Sequence, residues 1–380
     1  MNFARGVLDM DCCRRLLMLG GLALSFSPTV THADPTQGWQ KVSPVDVGFA
    51  PTIGEDLDHA ARKEAFEGLH AVVVVRAGKL ALERYYDGVD ERWGEPLGNV
   101  TFGPEVKHDV RSVSKSVVSL LYGIALAEGK VPDLDESLVD QFPAYEDLAA
   151  APDRRRMTIA HALSMTLGTE WNEDLPYTDP RNSEIAMERV PDRYRFVLDR
   201  PLKAEPGSQW TYNGGTTAVL AHFIARGTGM PLLDYARQKL FAPLGIADVE
   251  WVAGTNGEAA AASGLRMRPQ DLAKIGQLVL NEGRWDGAQL VPTDWLEESF
   301  RPSSRTDEKV KFGYQWWIGS MPTDGQPWMA AFGNGGQRLY IIPSWQLVVV
   351  VAAGNYNDRD QGKMPNAVMT DVVFPNLRDE

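Results

Sequence analysis

Extended apolar segments near both ends of the chain place the strongest constraint on its fold. Residues 71–75 read Ala-Val-Val-Val-Val, a Gly-containing turn follows, and residues 80–86 are again rich in apolar and aromatic side chains. β-Branched and aromatic residues on either side of a short turn predict a β-hairpin. Residues 338–342 and 347–351 repeat the pattern, and the second run is apolar throughout, as is typical of a strand buried on both faces. Sheet is therefore predicted at both ends of the chain.

The middle of the chain is predicted to be helical. Apolar residues recur there at three- and four-residue spacing, while two loops rich in Trp, Tyr, Pro and Asp interrupt the pattern at 168–179 and 190–194. The predicted helices span residues 112–128, 158–165, 216–227, 232–240 and 269–280.

Sheet at both ends around a helical block predicts an α/β (α+β) fold. The α/β part is expected at about 34–110 and 230–380, and an all-α lobe is inserted between them at about 111–229. A crevice between the two parts is the expected site for a ligand.

The net charge of the chain and the length of its apolar runs limit the kinds of molecule that it can be expected to bind. The chain has 380 residues and a formal charge of −13, so nucleic acid and anionic membrane surfaces are repelled over long range. No uncharged apolar run approaches the roughly 20 residues that a membrane span requires. The expected partner is a small molecule, and the sequence does not indicate an oligomeric state.

The N-terminal segment has the pattern of a secretory signal. Two arginines precede the mostly apolar run 16–26, and residues 31–33, Thr-His-Ala, offer an A-x-A-like cleavage site. We therefore predict a signal peptide at 1–33 and a periplasmic or secreted mature chain, the alternative being an apolar helix packed on the domain. Both cysteines fall within this segment, so no disulfide or thiolate chemistry is expected in the mature chain.

Signatures of several other enzyme classes are missing from the sequence. It contains no G-x-S-x-G, H-E-x-x-H, Walker A, G-x-G-x-x-G or C-x-x-C motif. Asp133, Asp135 and Glu136 lack the Gly and later Glu of a calcium loop and favour a solvated turn. The histidines of the mature chain, at 59, 70, 108, 161 and 222, show no ligand-like spacing, so neither a metal nor a cofactor is predicted.

Ser112-Val113-Ser114-Lys115 is an S-x-x-K arrangement at the start of a predicted helix. Free N–H groups and the dipole at a helix N-terminus favour a developing anion, and Lys115 falls one turn on, on the same face. A serine needs a base to become nucleophilic, and a desolvated lysine with a lowered pKa can be that base. The alternative is that Ser112 only caps the helix while Lys115 points to solvent.

Two later segments complete a pattern with this motif. Residues 210–215 read Trp-Thr-Tyr-Asn-Gly-Gly, and residues 332–337 read Phe-Gly-Asn-Gly-Gly-Gln before a predicted strand. In this order the three segments resemble the S-x-x-K, Y-x-N and K/H-x-G motifs of the serine β-lactamase and penicillin-binding-protein superfamily. Within this superfamily, the chain is more specifically similar to class C-like serine hydrolases, which include esterases, D-amino-acid peptidases and nylon-oligomer hydrolases. Residues 161–168, 263–273 and 313–317 look like accessory segments of these hydrolases, and the resemblance spans about residues 40 to 375.

The resemblance implies a fold and a set of roles. The fold would be β-lactamase/transpeptidase-like, a mainly antiparallel sheet flanked by helices with an inserted helical lobe. Ser112 would be the nucleophile, Lys115 its proton partner, and Tyr212 the phenol that relays the proton to the leaving group. The N–H groups of Ser112 and Gln337 would form the oxyanion hole. The implied substrate-binding residues are Asn213, Gly214, Asn334, Gly335 and Gly336.

The sequence departs from the family pattern at two positions. Gly214 stands where the second motif has Asn, which puts a side-chain contact to a substrate amide in doubt. Asn334 stands where the third motif has Lys or His, so the cation that holds a β-lactam carboxylate is missing, and Arg338 is the candidate replacement. No E-x-x-L-N motif supplies a deacylating glutamate.

The sequence thus predicts a secreted serine hydrolase that forms an acyl-enzyme on Ser112 and hydrolyses a small ester or amide. The alternatives within the class are a class C-like β-lactamase and a D-amino-acid peptidase. From another class, the alternative is a catalytically silent binding or sensor domain on the same fold.

Overall fold

The two valine-rich runs pair with each other, although most of the chain separates them. In this computed structural model, which describes residues 38–305, 310–321 and 325–378, Val73 lies opposite Val350 in an antiparallel pair of strands. The predicted signal peptide lies outside the described residues. One sheet therefore contains strands from both ends of the described chain.

The strands of the described residues divide among one large sheet and three small ones. In chain order they are β1 (Leu69–Arg76), β2 (Lys79–Tyr85), β3 (Gly88–Arg92), β4 (Glu95–Val100), β5 (His108–Asp109), β6 (Glu250–Trp251), β7 (Leu265–Met267), β8 (Arg284–Trp285), β9 (Ala288–Gln289), β10 (Ser304–Arg305), β11 (Lys311–Phe312), β12 (Trp317–Ser320), β13 (Pro327–Gly333), β14 (Gln337–Ile342) and β15 (Leu347–Ala353). The large sheet has the order β10-β11-β12-β13-β14-β15-β1-β2, and every neighbouring pair in it is antiparallel. The small sheets are β3-β4, β5-β7-β6 and β8-β9.

Helices cover both faces of the large sheet. In chain order they are α1 (Ile53–Ala60), α2 (Val113–Ala127), α3 (Glu146–Ala149), α4 (Pro152–Arg155), α5 (Ile159–Leu163), α6 (Ser183–Arg189), α7 (Arg193–Leu198), α8 (Gly214–Thr228), α9 (Leu232–Ala236), α10 (Pro269–Leu280), α11 (Thr293–Ser299), α12 (Lys363–Ala367) and α13 (Phe374–Asn376). Two π-helical segments, Arg237–Phe241 and Val368–Val373, continue α9 and α12.

Alternation along the central strands divides the core into two layers. Val73 and Val350 belong to the layer that includes residues of α2, α8 and α10, whereas Val72 and Val349 belong to the layer that includes residues of α1 and α12. Successive side chains of a strand point to opposite faces, so a strand covered on both sides must be apolar throughout. This is why β15 is buried along its whole length, as its sequence predicts.

The predicted fold class and both hairpins are confirmed. The helix predicted at 269–280 has the same bounds in α10, and the one predicted at 232–240 changes to π-helical geometry after Ala236. The loop predicted at 190–194 is wrong in its last two residues. Asp192 accepts a hydrogen bond from the backbone N–H of Arg195 and so caps α7 two residues before that loop was expected to end.

The fold places the first turn of α2 at the boundary between the large sheet and the group of helices α2 to α9. Helices α2 to α9 follow one another between β5 and β6, and α2 contacts α8, β13 and β14. Ser112 therefore lies where helices and strand ends meet. Within the described residues, none of the helices combines the length and apolar character needed to cross a bilayer.

Candidate active site

Ser112 opens α2, and the residue before it has an unusual backbone conformation. Arg111 has a φ of 50°, in the left-handed region that few non-glycine residues adopt. Its Nε lies 3.1 Å from Asp109 Oδ2, its Nη2 contacts Glu91, and its guanidinium stacks 4.7 Å from the centre of the Tyr356 ring. These contacts hold Arg111 in place and fix the direction in which the chain enters α2.

Lys115 lies one turn further along α2 and points back to the serine. Its Nζ donates hydrogen bonds to Ser112 Oγ and to the carbonyl oxygen of Ala262, both at 3.0 Å, and lies 3.2 Å from Glu184 Oε2. Only 2% of Lys115 is exposed, and the Ser112 side chain forms no capping hydrogen bond. The alternative of a capping serine and a solvent-facing lysine is therefore wrong.

The charge state of Lys115 differs from the expectation drawn from the sequence. Burial alone would lower the pKa of this ammonium, but the charge of Glu184 raises the pKa of Lys115 above its usual value. The predicted lowering is wrong for the resting site because a buried carboxylate outweighs desolvation. Lys115 is an ammonium at neutral pH.

A carboxyl pair that the sequence analysis did not identify lies behind Lys115. Glu184, in the first turn of α6, accepts a hydrogen bond from Ser263 Oγ at 2.7 Å and is hydrogen-bonded to Glu173. Burial alone would raise the pKa of Glu184, but Lys115 holds that pKa below its usual value. Burial, followed by the charge of Glu184, raises the pKa of Glu173 to about 7. The pair therefore shares a proton below neutral pH.

Tyr212 completes a triad of predicted catalytic residues. Its ring centre lies 5.1 Å from Lys115 Nζ, and the Ser112 side chain is among the groups that act on the pKa of its phenol. Burial raises the pKa of the Tyr212 phenol, and Lys115 only partly offsets this. The structure thus brings Ser112, Lys115 and Tyr212 together, with the phenol neutral at rest.

The two residues after Tyr212 have contacts within the protein. Asn213 caps α8 by accepting a hydrogen bond from the Thr216 N–H at 3.2 Å, and the Gly214 N–H donates to Glu173 Oε1 at 2.5 Å. A Cβ at position 214 would lie 2.2 Å from Glu184 Oε2. The glycine that departs from the family pattern therefore leaves room for the carboxyl pair.

The third motif forms a tight turn between β13 and β14. Gly335 and Gly336 have φ values of 89° and 94°, which only glycine adopts readily. Asn334 Oδ1 accepts from the Asn357 N–H at 2.9 Å, and Asn334 Nδ2 donates to Asn357 Oδ1 at 3.3 Å. Asn357 Oδ1 also accepts from the Tyr177 N–H at 2.9 Å, so Asn357 links this turn to the loop before α6.

The two predicted oxyanion-hole residues lie at neighbouring ends of α2 and β14. Gln337 begins β14 and pairs with Gly333 across the turn. A Cβ on Gly333 would lie 2.4 Å from the carbonyl oxygen of Val110, two residues before Ser112. The end of the β13–β14 hairpin therefore packs directly against the chain segment that leads into Ser112.

Arg338, the candidate replacement for the missing cation, supports the turn. Its Nη1 donates to the carbonyl oxygens of Gly333 at 3.2 Å and Gln337 at 2.8 Å, and its guanidinium lies 4.5 Å from the centre of the Phe332 ring. Only 7% of the residue is exposed. Its position makes it a positioning group for the hairpin that carries Gln337.

Ser112 lies where two clefts meet. The minor cleft, of about 550 Å³ including its open mouth, is lined by Glu91, Trp93 and Arg111 beside Ser112. The major cleft encloses about 2130 Å³, including its open mouth, and Asn334 and Tyr177 line both clefts. The major cleft has a mainly aromatic wall and a charged rim, formed by Trp171, Trp210, Trp317, Trp328 and Phe332 and by Arg359, Asp360 and Lys363.

Comparisons with known proteins identify the family of the chain. The β-lactamase family pattern matches residues 58–369, so the chain belongs to the β-lactamase family, and its hydrolase relatives identify it as a serine hydrolase of that family. The chain is 25% identical over 303 residues to the 6-aminohexanoate-dimer hydrolase of Paenarthrobacter ureafaciens, covering 74% of this chain and 71% of that protein.

A second relative and a solved structure extend the comparison. The chain is 26% identical over 157 residues to the lovastatin esterase of Penicillium rubens, covering 39% of this chain and 35% of the esterase, so it spans about a third of that relative. The structure of a hydrolase with promiscuous acyltransferase activity superposes with a TM-score of 0.65 at 16% identity, covering 83% of this chain and 98% of that one. At that identity the likeness concerns the fold alone.

Proposed function

We propose that the protein hydrolyses a small ester or amide through an acyl-enzyme on Ser112. The observation that carries this proposal is the 3.0 Å contact between Lys115 Nζ and Ser112 Oγ at the junction of two clefts. A nucleophile at such a junction can face a substrate whose acyl group and leaving group extend into different clefts. The carbonyl carbon is then held beside Oγ.

The first chemical step requires a proton acceptor that the resting site lacks. Lys115 is an ammonium and Tyr212 a neutral phenol at rest, so the reactive form is the minor one in which this pair has lost one proton. In that form the pair takes the Ser112 proton as Oγ bonds to the carbonyl carbon. The Tyr212 phenol then gives a proton to the departing oxygen or nitrogen as its bond to the carbonyl carbon breaks.

Deacylation reverses the roles of the same groups. Water attacks the acyl carbon, its proton passes to Tyr212 and Lys115, and Ser112 Oγ leaves with a proton. The backbone N–H groups of Ser112 and Gln337 are the proposed donors to the oxyanion in both steps. The close packing of Gly333 against Val110 holds the two segments that carry these donors together.

The cleft supports a substrate with an apolar body. The aromatic wall of the major cleft offers stacking and apolar contact, with the Trp317 and Phe332 rings stacked 5.3 Å apart. Asn334, where the family pattern has a cation, brings no charge to bind a substrate carboxylate. The names of the relatives, a dimer hydrolase and an esterase, support amides and esters as the class.

Labelling with a fluorophosphonate tests whether Ser112 is a nucleophile. Intact-mass spectrometry of the full chain should show one adduct per chain, and Ser112→Ala should show none. Ser119→Ala is the matched control, because this buried serine lies on the same helix and its Oγ has no hydrogen-bond partner among the described residues. No adduct on the wild-type chain would favour the silent binding domain instead.

We also propose that the protein is exported, on the basis of the signal-like pattern in residues 1–33. Protein purified from its native host should then begin near Asp34 and occur in the periplasm or medium. N-terminal sequencing of fractionated cells measures this, and an intact N-terminus in the cytosolic fraction would contradict it.

A further inference from the structure

A buried cluster outside the active site brings together His70, Asp90 and His108. These residues belong to β1, β3 and β5, and none is more than 2% exposed. His70 Nδ1 and His108 Nε2 are 2.9 Å apart, and His108 Nε2 is 3.6 Å from Asp90 Oδ1. One candidate metal-ligand atom from each residue lies within 4.8 Å of the others. Three separate segments of the chain therefore converge on one point.

The cluster contains more hydrogen-bond acceptor atoms than there are N–H and O–H groups to donate to them. His108 Nδ1 lies 2.9 Å from the carbonyl oxygen of Asp109, which can only accept, so a neutral His108 ring carries its proton on Nδ1 and a lone pair on Nε2. Asp90 Oδ1 accepts from the Tyr356 hydroxyl at 2.8 Å, but Asp90 Oδ2 is buried without a hydrogen-bond partner among the described residues. The single N–H of His70 Nδ1 can satisfy His108 Nε2 but not the carboxylate as well.

The surroundings hold the His70 ring in this orientation. Phe102 stacks on it with ring centres 4.4 Å apart, and a Cβ on Gly88 would lie 2.3 Å from His70 Nε2. The His70 ring is therefore packed in a fixed position.

We infer that His70 Nδ1, His108 Nε2 and the Asp90 carboxylate supply three of the four ligands of one tetrahedral Zn²⁺ ion. Zinc prefers imidazole nitrogen and carboxylate oxygen at about 2.0–2.2 Å, and tetrahedral ligands at such lengths lie about 3.3 Å from one another. The observed separations of 2.9 Å and 3.6 Å fall on either side of that value. In the bound state His70 carries its proton on Nε2, and Tyr356 orients the Asp90 carboxylate from outside the ligand shell.

The cation would stabilise the chain segment that precedes Ser112. His108 is followed by Asp109, which holds Arg111, and Arg111 leads directly into Ser112. An ion shared by β1, β3 and β5 would therefore fix the chain ahead of α2. The inference does not depend on the reaction proposed for Ser112.

Metal analysis of the full chain tests the site. Chain refolded with ZnCl₂ and then passed through gel filtration should retain about one zinc per chain by elemental mass spectrometry, and ZnCl₂ should raise its Tm by several degrees. Refolding with CoCl₂ should give the visible absorption bands of tetrahedral Co²⁺. His59→Gln, an exposed histidine on α1, is the matched control and should behave like the wild type.

Asp90→Asn separates the zinc site from a metal-free hydrogen-bond network. In a zinc site the substitution should lower zinc affinity about tenfold or more and abolish the Tm response. In a metal-free network the substitution would remove a buried carboxylate whose Oδ2 has no hydrogen-bond partner among the described residues, so the variant would be as stable as the wild type or more stable. That result, with no zinc retained by the wild-type chain, would overturn the inference.

Discussion

Lys115 Nζ and Glu184 Oε2 lie 3.2 Å apart, and both side chains are only 3% exposed. This buried pair decides the resting state of the candidate active site, because the carboxylate holds a proton on the group that the mechanism needs as a base. The sequence led us to expect a lysine that burial keeps neutral. The structure instead shows a lysine that a neighbouring carboxylate keeps positively charged.

Glu184→Gln should change how the reaction depends on pH. The raised pKa of Lys115 means that the base form grows with pH, so kcat/KM of the wild type should still be rising between pH 7 and pH 9. Removing the Glu184 charge leaves burial, which lowers the pKa of Lys115, so the variant's profile should shift to lower pH. Initial rates on p-nitrophenyl butyrate across this range measure the shift.

Glu188→Gln is the control for that experiment. Glu188 lies one turn along α6, is 7% exposed and pairs with Arg193 rather than Lys115. Its loss should leave the profile of kcat/KM in place. Breaking a buried ion pair costs about 3–5 kcal/mol, so the folding of both variants needs to be checked by circular dichroism. An unshifted profile in Glu184→Gln would show that Glu184 does not set the charge state of Lys115.

Ser112→Ala and Lys115→Ala should each reduce kcat about a thousandfold or more without unfolding the chain. Because the 3.0 Å contact makes them one unit, the double variant should be scarcely slower than either single variant. Steady-state kinetics on one ester measures all three. Small losses that add up in the double variant would remove the pair from the mechanism.

Tyr212→Phe should lose most turnover while keeping the packing of the ring on Trp317, since only the hydroxyl is deleted. Tyr177→Phe is the matched comparison. Its hydroxyl lies in the same cleft but donates to Glu173 at 2.8 Å, so the effect on kcat should be much smaller. Equal activity of Tyr212→Phe and wild type would make Tyr212 structural.

Residues of the site that lie one helical turn apart, or that belong to the motifs of the family, could be predicted from the sequence, whereas other residues brought by tertiary packing could not. Ser112 and Lys115 lie one helical turn apart, so the helix itself creates their contact. Glu184 lies in the first turn of α6, where an acidic residue is ordinarily explained by the helix dipole, and only its tertiary contact with Lys115 reveals its partner. The same holds for His70 and His108, whose spacing gives no metal signal.

The same distinction between local and long-range features applies to the prediction of the fold. Apolar, β-branched runs that flank short turns predicted the hairpins at both ends, and apolar residues at three- and four-residue spacing predicted the bounds of α10, because these features are local. The pairing of β1 with β15 is not encoded in either strand alone, since any apolar strand buried on both faces offers the same edge.

Asn334→Lys should change the preference between substrates. The wild type should hydrolyse p-nitrophenyl butyrate with a higher kcat/KM than nitrocefin, because a β-lactam carboxylate finds no cation at position 334. A charge-assisted contact is worth about 1.5–3 kcal/mol, so the lysine should raise kcat/KM on nitrocefin about ten- to hundredfold. The ester should gain nothing and lose some rate, because the contact to Asn357 is broken.

Arg359→Ala is the companion to that variant. Arg359 is exposed at the rim of the major cleft, and its removal should leave ester hydrolysis unchanged. Nitrocefin hydrolysis by the wild type at a higher kcat/KM than the ester, lost in Arg359→Ala, would show that this arginine supplies the cation and would favour the β-lactamase alternative.

Gly214→Ala should disturb the carboxyl pair. The new Cβ would lie 2.2 Å from Glu184 Oε2, so the carboxylate must move away from Lys115, and kcat/KM should fall about tenfold or more. Gly103→Ala, with nothing within 4 Å of its new Cβ, should behave as wild type. Full activity of Gly214→Ala would show that the pair tolerates displacement.

Asn357 ties the β13–β14 turn to the loop before α6 by accepting from Tyr177 and exchanging hydrogen bonds with Asn334. The amide of Asn357 therefore connects two segments that line the major cleft, and we expect this connection to limit how far the cleft can open. We expect a cleft with a limited opening to select substrates by size when they bind. Bulky substrates should therefore be penalised in KM, while those that enter should turn over at similar rates.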